Sequence, residues 1–239
     1  MRRDHARICE IFSSLQGEGL RLGERQIFVR FGGCGLRCDY CDEAKALPAD
    51  SGEEWDARRL CAVLEDHNRR RRHAAVAWTG GEPLRCGDFL HSVLPRVRRL
   101  GLKNYLETNG VHVGVLRRLL PWLDMIAVDL KLPSAVGKSL WKAHAEFLRA
   151  AGRRAFAKVV LTRSTTDAEW LKVIRLMEAN APSMPLVLQP ATPVVSARFP
   201  GKRCLPVEPE RAVKFLVQAR ARLKHARLIP QWHTVWRLK

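Results

Sequence analysis

Ile27-Phe28-Val29-Arg30-Phe31-Gly32-Gly33-Cys34-Gly35-Leu36-Arg37-Cys38-Asp39-Tyr40-Cys41 is a short apolar run that empties into a glycine-bearing loop with three cysteines spaced C-x3-C-x2-C. Only Arg30 interrupts the apolar run, as expected of a strand buried on both faces. Similar runs recur at Ala74–Trp78, Asn104–Glu107, Met125–Leu130, Phe156–Leu161, Leu186–Gln189 and Ala226–Pro230. Helix-length segments with apolar spacing of three to four lie between most of them, at Ala57–Asn68, Phe89–Leu100, Ser139–Arg149, Asp167–Asn180 and Glu208–Leu223. Asp167 and Glu208 sit where negative charge favours a helix start. Strand–helix alternation predicts parallel strands joined by crossover helices. Six or so such units are too few for a closed eight-stranded barrel. The expected fold is α/β, a partial (β/α)6 barrel with a mostly parallel sheet, in one domain over residues 1–239. Chemistry in such folds gathers at the C-terminal ends of the strands.

The composition fits that reading. Apolar residues make up 46%, charged residues 28% and aromatics 7% of 239 residues, which excludes a disordered, collagenous or coiled-coil chain. No apolar run approaches the roughly 18 residues of a membrane span. Met1-Arg2-Arg3-Asp4 has no apolar stretch behind it, so no signal peptide is expected, and the expected compartment is the cytoplasm. Thiols stay reduced there, so the seven cysteines read as thiols or metal ligands. Lys and Arg number 42 against 24 Asp and Glu, a formal charge of +18, which attracts anions. The densest block, Arg69-Arg70-Arg71-Arg72, reads as a solvated helix end rather than a nucleic-acid patch.

Three thiolates so close in sequence can converge on one metal centre, with glycines letting the backbone wrap it. A structural zinc site normally takes four ligands, and no fourth Cys or His follows at zinc-like spacing. A four-iron cluster usually takes four cysteines. Three leave one iron open to a substrate or cofactor. A zinc knuckle completed by a distant His is the competing reading. Cys9, Cys61, Cys86 and Cys204 are scattered and read as incidental thiols.

C-x3-C-x2-C with Tyr40 before the last cysteine resembles the radical S-adenosylmethionine (SAM) enzymes. The resemblance implies that Cys34, Cys38 and Cys41 hold a 4Fe-4S cluster. Its open iron would chelate SAM, whose cleavage yields a hydrogen-abstracting 5′-deoxyadenosyl radical. Later motifs match in order. Trp78-Thr79-Gly80-Gly81-Glu82-Pro83 is similar to the family's GGEP element, and Glu107-Thr108-Asn109-Gly110 to its ETNG element. Asp129-Leu130-Lys131 and Gln189-Pro190 end later strands. The resemblance assigns Tyr40, Gly80, Gly81, Glu82, Glu107, Asn109, Asp129, Leu130, Lys131 and Gln189 to the SAM pocket.

Two terminal features narrow the family. Ser13-Ser14-Leu15-Gln16-Gly17-Glu18-Gly19 precedes the Ile27–Phe31 strand, and Pro230-Gln231-Trp232-His233 lies near the end. Together with the strand they resemble the 7-carboxy-7-deazaguanine synthases of queuosine and 7-deazapurine biosynthesis, over essentially the whole chain. The implied reaction is a radical ring contraction of 6-carboxy-5,6,7,8-tetrahydropterin with loss of ammonia, assisted by Mg²⁺. Catalytic roles are implied for Arg30, Glu18 and His233. Substrate contacts are implied for Leu15, Gln16, Gly17, Arg30, Thr79, His233 and Lys239. The cluster loop would span 32–42, and segment 226–239 would close the site. Arg30 suits a carboxylate because its fork is planar and bidentate.

One departure stands out. The family has Asp then Thr or Ser after the last cysteine, with that hydroxyl on Mg²⁺; here the run is Cys41-Asp42-Glu43. Glu43 is a hard oxygen donor and so a candidate Mg²⁺ ligand, or it can point elsewhere. A second departure is Thr234 after the P-Q-x-H motif. Family likeness also implies a homodimer, and the basic charge suits electron delivery from an acidic flavodoxin or ferredoxin. Two rival functions share part of this pattern. One is a radical SAM activase that places a glycyl radical on a partner enzyme. The other, suggested by the charge, is an RNA-binding protein with a metal knuckle.

Overall fold

Residues 4–236 are described in the computed structural model. In chain order the elements are β1 (His5–Leu15), β2 (Arg25–Phe31), β3 (Glu53–Asp56), α1 (Ala57–Arg70), β4 (Ala75–Gly80) and α2 (Gly87–Arg99). Next come β5 (Lys103–Thr108), α3 (Val113–Leu119), β6 (Met125–Asp129), α4 (Pro133–Val136), α5 (Trp141–Ala151), β7 (Ala155–Leu161) and α6 (Asp167–Asn180). The chain continues with β8 (Leu186–Pro190), β9 (Val194–Val195), β10 (Arg203–Cys204), α7 (Pro209–Arg220), β11 (Ala226–Leu228) and α8 (Trp232–Val235).

Nine strands form one sheet in the order β11-β8-β7-β6-β5-β4-β2-β1-β3. From β2 to β11 every pairing is parallel. The expected α/β fold with a mostly parallel sheet is present. Its six central parallel strands are extended by β11 on one side and by antiparallel β1 and β3 on the other.

The Ile27–Phe31 run is therefore the second strand and not the first. The residues Ser13–Leu15 close β1, and Gln16–Gly19 is the turn out of it. β1 carries polar residues along its length and is only partly buried, so it lacks the continuous apolar run of its neighbours. β3 is an edge strand of charged residues, Glu53, Glu54 and Asp56 among them, which discourages pairing with another chain.

Helix ends follow local chemistry. Thr166 caps α6 through a capping box: its hydroxyl accepts from the Glu169 N–H, and the Glu169 carboxylate accepts from the Thr166 N–H. Asp56 caps α1 by accepting from the Arg59 N–H at 2.8 Å. Glu208 precedes α7 without a side-chain cap bond. Arg69 and Arg70 end α1 exposed and pair with Asp66, as a solvated helix end should.

The strand alternation decides what faces the site. Ile27, Val29 and Phe31, Val76 and Trp78, Ile126 and Val128, Val159 and Leu161, Leu186 and Leu188 all join one core under the helices. The opposite parity faces the concave side. There Phe28, Ala77, Tyr105, Ala127, Phe156 and Val187 form a separate apolar floor. Two residues further along each strand, the same parity brings up Arg30, Thr79, Glu107, Asp129, Lys158 and Gln189. All six line one cavity of about 220 Å³. Each of six adjacent parallel strands thus contributes one apolar and then one polar side chain toward the strands' C-terminal ends.

Candidate active site

The cysteine loop leaves β2 over this polar layer. Gly33, at φ +88°, donates its N–H to Ala46 O (2.8 Å), and Cys34 donates to Leu47 O (3.0 Å). The Asp39 N–H donates to Ala135 O (3.0 Å) in α4. A Cβ on Gly81 would collide with the Gly33 carbonyl oxygen, so that glycine lets the turn after β4 lie against the loop. Cys34, Cys38 and Cys41 are free thiols and all line the cavity. Among the described residues, the group of three His, Cys, Asp or Glu donors within 4.8 Å of one another is Glu18, Asp42 and His233. The three sulfurs do not form such a group. Burial pushes the Cys38 thiol up to about 12 and raises that of Cys41, so loading a metal centre releases protons here.

One half of the cavity is built by the turn after β1 and by α8. Glu18 Oε2 accepts from Lys158 Nζ at 2.5 Å, and Oε1 accepts from Gln231 Nε2 at 2.7 Å. Burial alone would raise the Glu18 carboxyl, but the Lys158 charge and these hydrogen bonds hold it at about 2. The Gln16 amide donates to Glu107 Oε1 (2.9 Å), and the Thr79 hydroxyl donates to Glu107 Oε2 (2.7 Å). Burial first, and the Glu18 charge second, raise the Glu107 carboxyl. Two carboxylates in one cavity are thus driven apart, one held ionised and one pushed toward its neutral form. The Trp232 N–H donates to Gly17 O at 2.9 Å, clasping α8 to the turn. A Cβ on Gly17 would lie 2.5 Å from His233 Cβ, so the clasp needs glycine. His233 lies 3.8 Å from Glu18 and 3.7 Å from Asp42. The Asp42 carboxylate first, and Glu18 with it, raise the imidazole above its usual range against burial.

The other half lies between the cysteine loop and the ends of β4 to β8. Glu82 is fully buried. Its Oε1 accepts from Leu84 N–H (3.0 Å) and the Thr108 hydroxyl (2.7 Å), and its Oε2 accepts from Asn109 N–H (2.8 Å). The GGEP carboxylate thereby fastens the ETNG turn to its own. Lys131 Nζ pairs with Asp129 Oδ2 at 2.8 Å and lies over the Tyr40 ring at 5.0 Å. Several buried polar atoms here have no partner: Asn109 Nδ2, Asp129 Oδ1, and both Nε2 and Oε1 of Gln189. Orphaned buried donors and acceptors are costly in a folded protein, and together these fit a polar ligand such as SAM.

Two assignments change. Leu130 has outward parity and is fully buried in the main core, so it does not line the cavity; its N–H donates to Lys158 O. Glu107 sits among Gln16 and Thr79, on the β1-turn side, rather than among the cofactor-side groups. The Arg30 Nε lies 3.2 Å from Glu10 and 3.4 Å from Glu43. Glu43 thus faces the guanidinium and also lines the cavity, outside the Glu18, Asp42 and His233 group. Lys239 lies outside the described residues. The other expected residues, including Leu15 and Gly80, line the cavity. Sequence reading missed Lys158, Asp42 and Gln231. Lys158 had a usable signal, a lysine at the inward parity of an otherwise apolar strand.

Comparison with known proteins agrees with this site. Residues 15–138 match the family described as a 4Fe-4S single cluster domain. The chain is 36% identical over 252 aligned residues to 7-carboxy-7-deazaguanine synthase from Geobacter sulfurreducens, covering 98% of each. It is 33% identical to the Methanothermobacter thermautotrophicus enzyme of the same name, covering 79% of this chain and 83% of that one. Among solved structures it resembles QueE from Escherichia coli, with a TM-score of 0.66 at 21% identity, covering 96% and 95%. It also resembles Streptococcus suis SuiB bound to S-adenosylmethionine, with a TM-score of 0.57 at 15% identity, covering 82% of this chain and 47% of that one. None of these names supports the activase or RNA-binding readings. By sequence, then, the chain belongs to the 7-carboxy-7-deazaguanine synthase family.

Proposed function

We propose that the enzyme converts 6-carboxy-5,6,7,8-tetrahydropterin to 7-carboxy-7-deazaguanine and ammonia. The observation that carries this reading is the two-sided cavity: unpartnered polar atoms beside a three-cysteine loop on one side, and a Gln16, Glu18, Thr79, Glu107 and His233 cluster on the other. Atoms balance, because the pterin loses one nitrogen and three hydrogens as ammonia while SAM is regenerated.

Cys34, Cys38 and Cys41 would hold the 4Fe-4S cluster, with Asn109, Asp129, Lys131 and Gln189 facing SAM. Bound together, cluster and SAM supply a hydrogen-abstracting radical. The chain's own residues bind and orient. Arg30 presents its guanidinium to the pterin carboxylate while Glu10 and Glu43 hold its Nε. Gln16, Glu18 and Glu107 read the donor and acceptor edge of the pterin. Glu107, raised toward neutrality, can hold a proton on Oε1 or Oε2 as the amine leaves. Gln231 and His233 close the site against water.

A 7-deazapurine pathway in the cytoplasm, a homodimer, and an acidic flavodoxin or ferredoxin donor complete the proposal. The +18 charge favours such a donor electrostatically. Among the described residues no helix is long and apolar enough to cross a membrane. The test is anaerobic incubation of reconstituted, reduced enzyme with the carboxypterin and SAM. Formation of 7-carboxy-7-deazaguanine is expected, and its absence from an iron-loaded, SAM-binding sample rejects the reading.

A further inference from the structure

Lys158 is the interior charge that no sequence motif announces. It stands midway along β7 with its side chain 15% exposed, and its Nζ lies 2.5 Å from Glu18 Oε2 and 3.5 Å from Asp129 Oδ2. Lys131 meets the same Asp129 oxygen at 2.8 Å. Glu18, Lys158, Asp129 and Lys131 therefore make an alternating, neutral row. It crosses the cavity from the side closed by Gln231 and His233 to the side of Tyr40 and the cysteine loop.

The register explains the placement. Asp129 and Lys158 are direct partners across the parallel β6–β7 ladder, and both have inward parity. Glu107 also acts on Lys158 from β5, while His233 and Asp42 face Glu18 from the other side. Withdrawing a row of charges from water is costly, and removing one member strands its partner. One ammonium here serves two carboxylates that belong to opposite halves of the cavity. Asp129 keeps Oδ1 without a partner, so a ligand can still donate to it. Such a ligand neutralises part of the Asp129 charge and leaves more of the ammonium's attraction for Glu18.

We propose that Lys158 is a positioning residue that couples the two halves of the site, so that occupation of the Asp129 side fixes Glu18 for the ligand on the other side. This rests on the proposed reading, in which SAM takes the Asp129 side and the pterin the Glu18 side.

The experiment uses the full, cluster-loaded chain. SAM affinity is measured with and without the carboxypterin on the oxidised cluster, which does not turn over, and KM, kcat and 5′-deoxyadenosine released per product on the reduced enzyme, for wild type, Lys158→Met, Lys158→Arg and the Lys158→Met, Glu18→Gln pair. Wild type is expected to bind SAM about tenfold more tightly when the pterin is present, within the usual range of site–site coupling. In Lys158→Met that ratio falls to about one, KM rises more than kcat falls, and more 5′-deoxyadenosine escapes per product. Lys158→Arg, which keeps the charge, restores part of the coupling.

An unchanged ratio in Lys158→Met overturns the proposal. If Lys158→Met does not hold its cluster, the paired variant, which strands no carboxylate at Glu18, is read instead by the same criterion. Failure of the pair and of Lys158→Arg to fold would make the role structural and also overturns it. Wild type failing to make deazaguanine sinks the functional reading. Wild type turning over beside a fully coupled Lys158→Met sinks the role of Lys158 alone.

Discussion

Each residue of the polar layer does its work through a partner. Glu18 is the clearest case. Its folded value of about 2 lies below the ordinary 4.5, because the Lys158 charge and the Gln231 hydrogen bond outweigh burial. A lowered folded value means that this carboxylate contributes stability above pH 4.5, and that the contribution fades as pH falls toward 2. The stability gap between wild type and Glu18→Gln should therefore narrow over that interval in urea titrations. A gap independent of pH would contradict the pairing. The three cysteines make a different prediction. Replacing Cys38 by Ser should abolish the broad iron–sulfur absorbance while leaving the far-ultraviolet circular dichroism unchanged, because the loop's backbone bonds to Ala46, Leu47 and Ala135 do not involve the sulfur.

At the scale of elements, the parallel strands were legible because their apolar runs are continuous, and α6 was legible to its limits because Asp167 opens it and Asn180 ends it. β1 and β3 were not. Partial burial and antiparallel pairing at the sheet edge allow polar residues such as Glu10, Ser13 and Glu53 into their sequences. Helix α3, with seven residues, is too short to show a period. The same physics explains the Leu130 correction. A motif match takes adjacent residues together, whereas strand alternation sends Asp129 and Lys131 to the cavity and Leu130 to the core. Lys158 was missed for the converse reason: one lysine in an apolar run has meaning only once its neighbours' parity is known. Thr166 gives an element-scale prediction. Thr166→Ala removes the hydroxyl half of the α6 capping box, leaving the backbone N–H to Glu169 in place, and should lower unfolding free energy by about 1 kcal/mol in urea titration, with activity per folded molecule unchanged.

For the whole molecule, the sheet is a device that points one polar side chain from each of six strands into one cavity beside the three-cysteine loop. The motifs at Gly80, Glu107, Asp129 and Gln189 were readable from sequence because they end strands, where chemistry gathers. The ion pairing of Arg30 was not, because Glu10 meets it only where β1 lies beside β2, and Glu43 only where the chain after Cys41 returns to β2. That pairing carries a prediction about metal. With Glu43 turned to Arg30, removal of free divalent cations by EDTA, after the cluster is assembled and excess chelator removed, should lower turnover less than twofold, and added Mg²⁺ should not raise it. A strict Mg²⁺ requirement would contradict that prediction and would be traced by comparing Glu43→Gln with Asp42→Asn, since Asp42 belongs to the other donor group of the cavity.

The most direct measurement is the balance of a prolonged anaerobic turnover, with product, ammonia and SAM counted together. The site described here predicts 7-carboxy-7-deazaguanine and ammonia in equal amounts, many per enzyme, with SAM undiminished. SAM consumed to 5′-deoxyadenosine without deazaguanine, or a colourless zinc protein that turns over nothing, would contradict it.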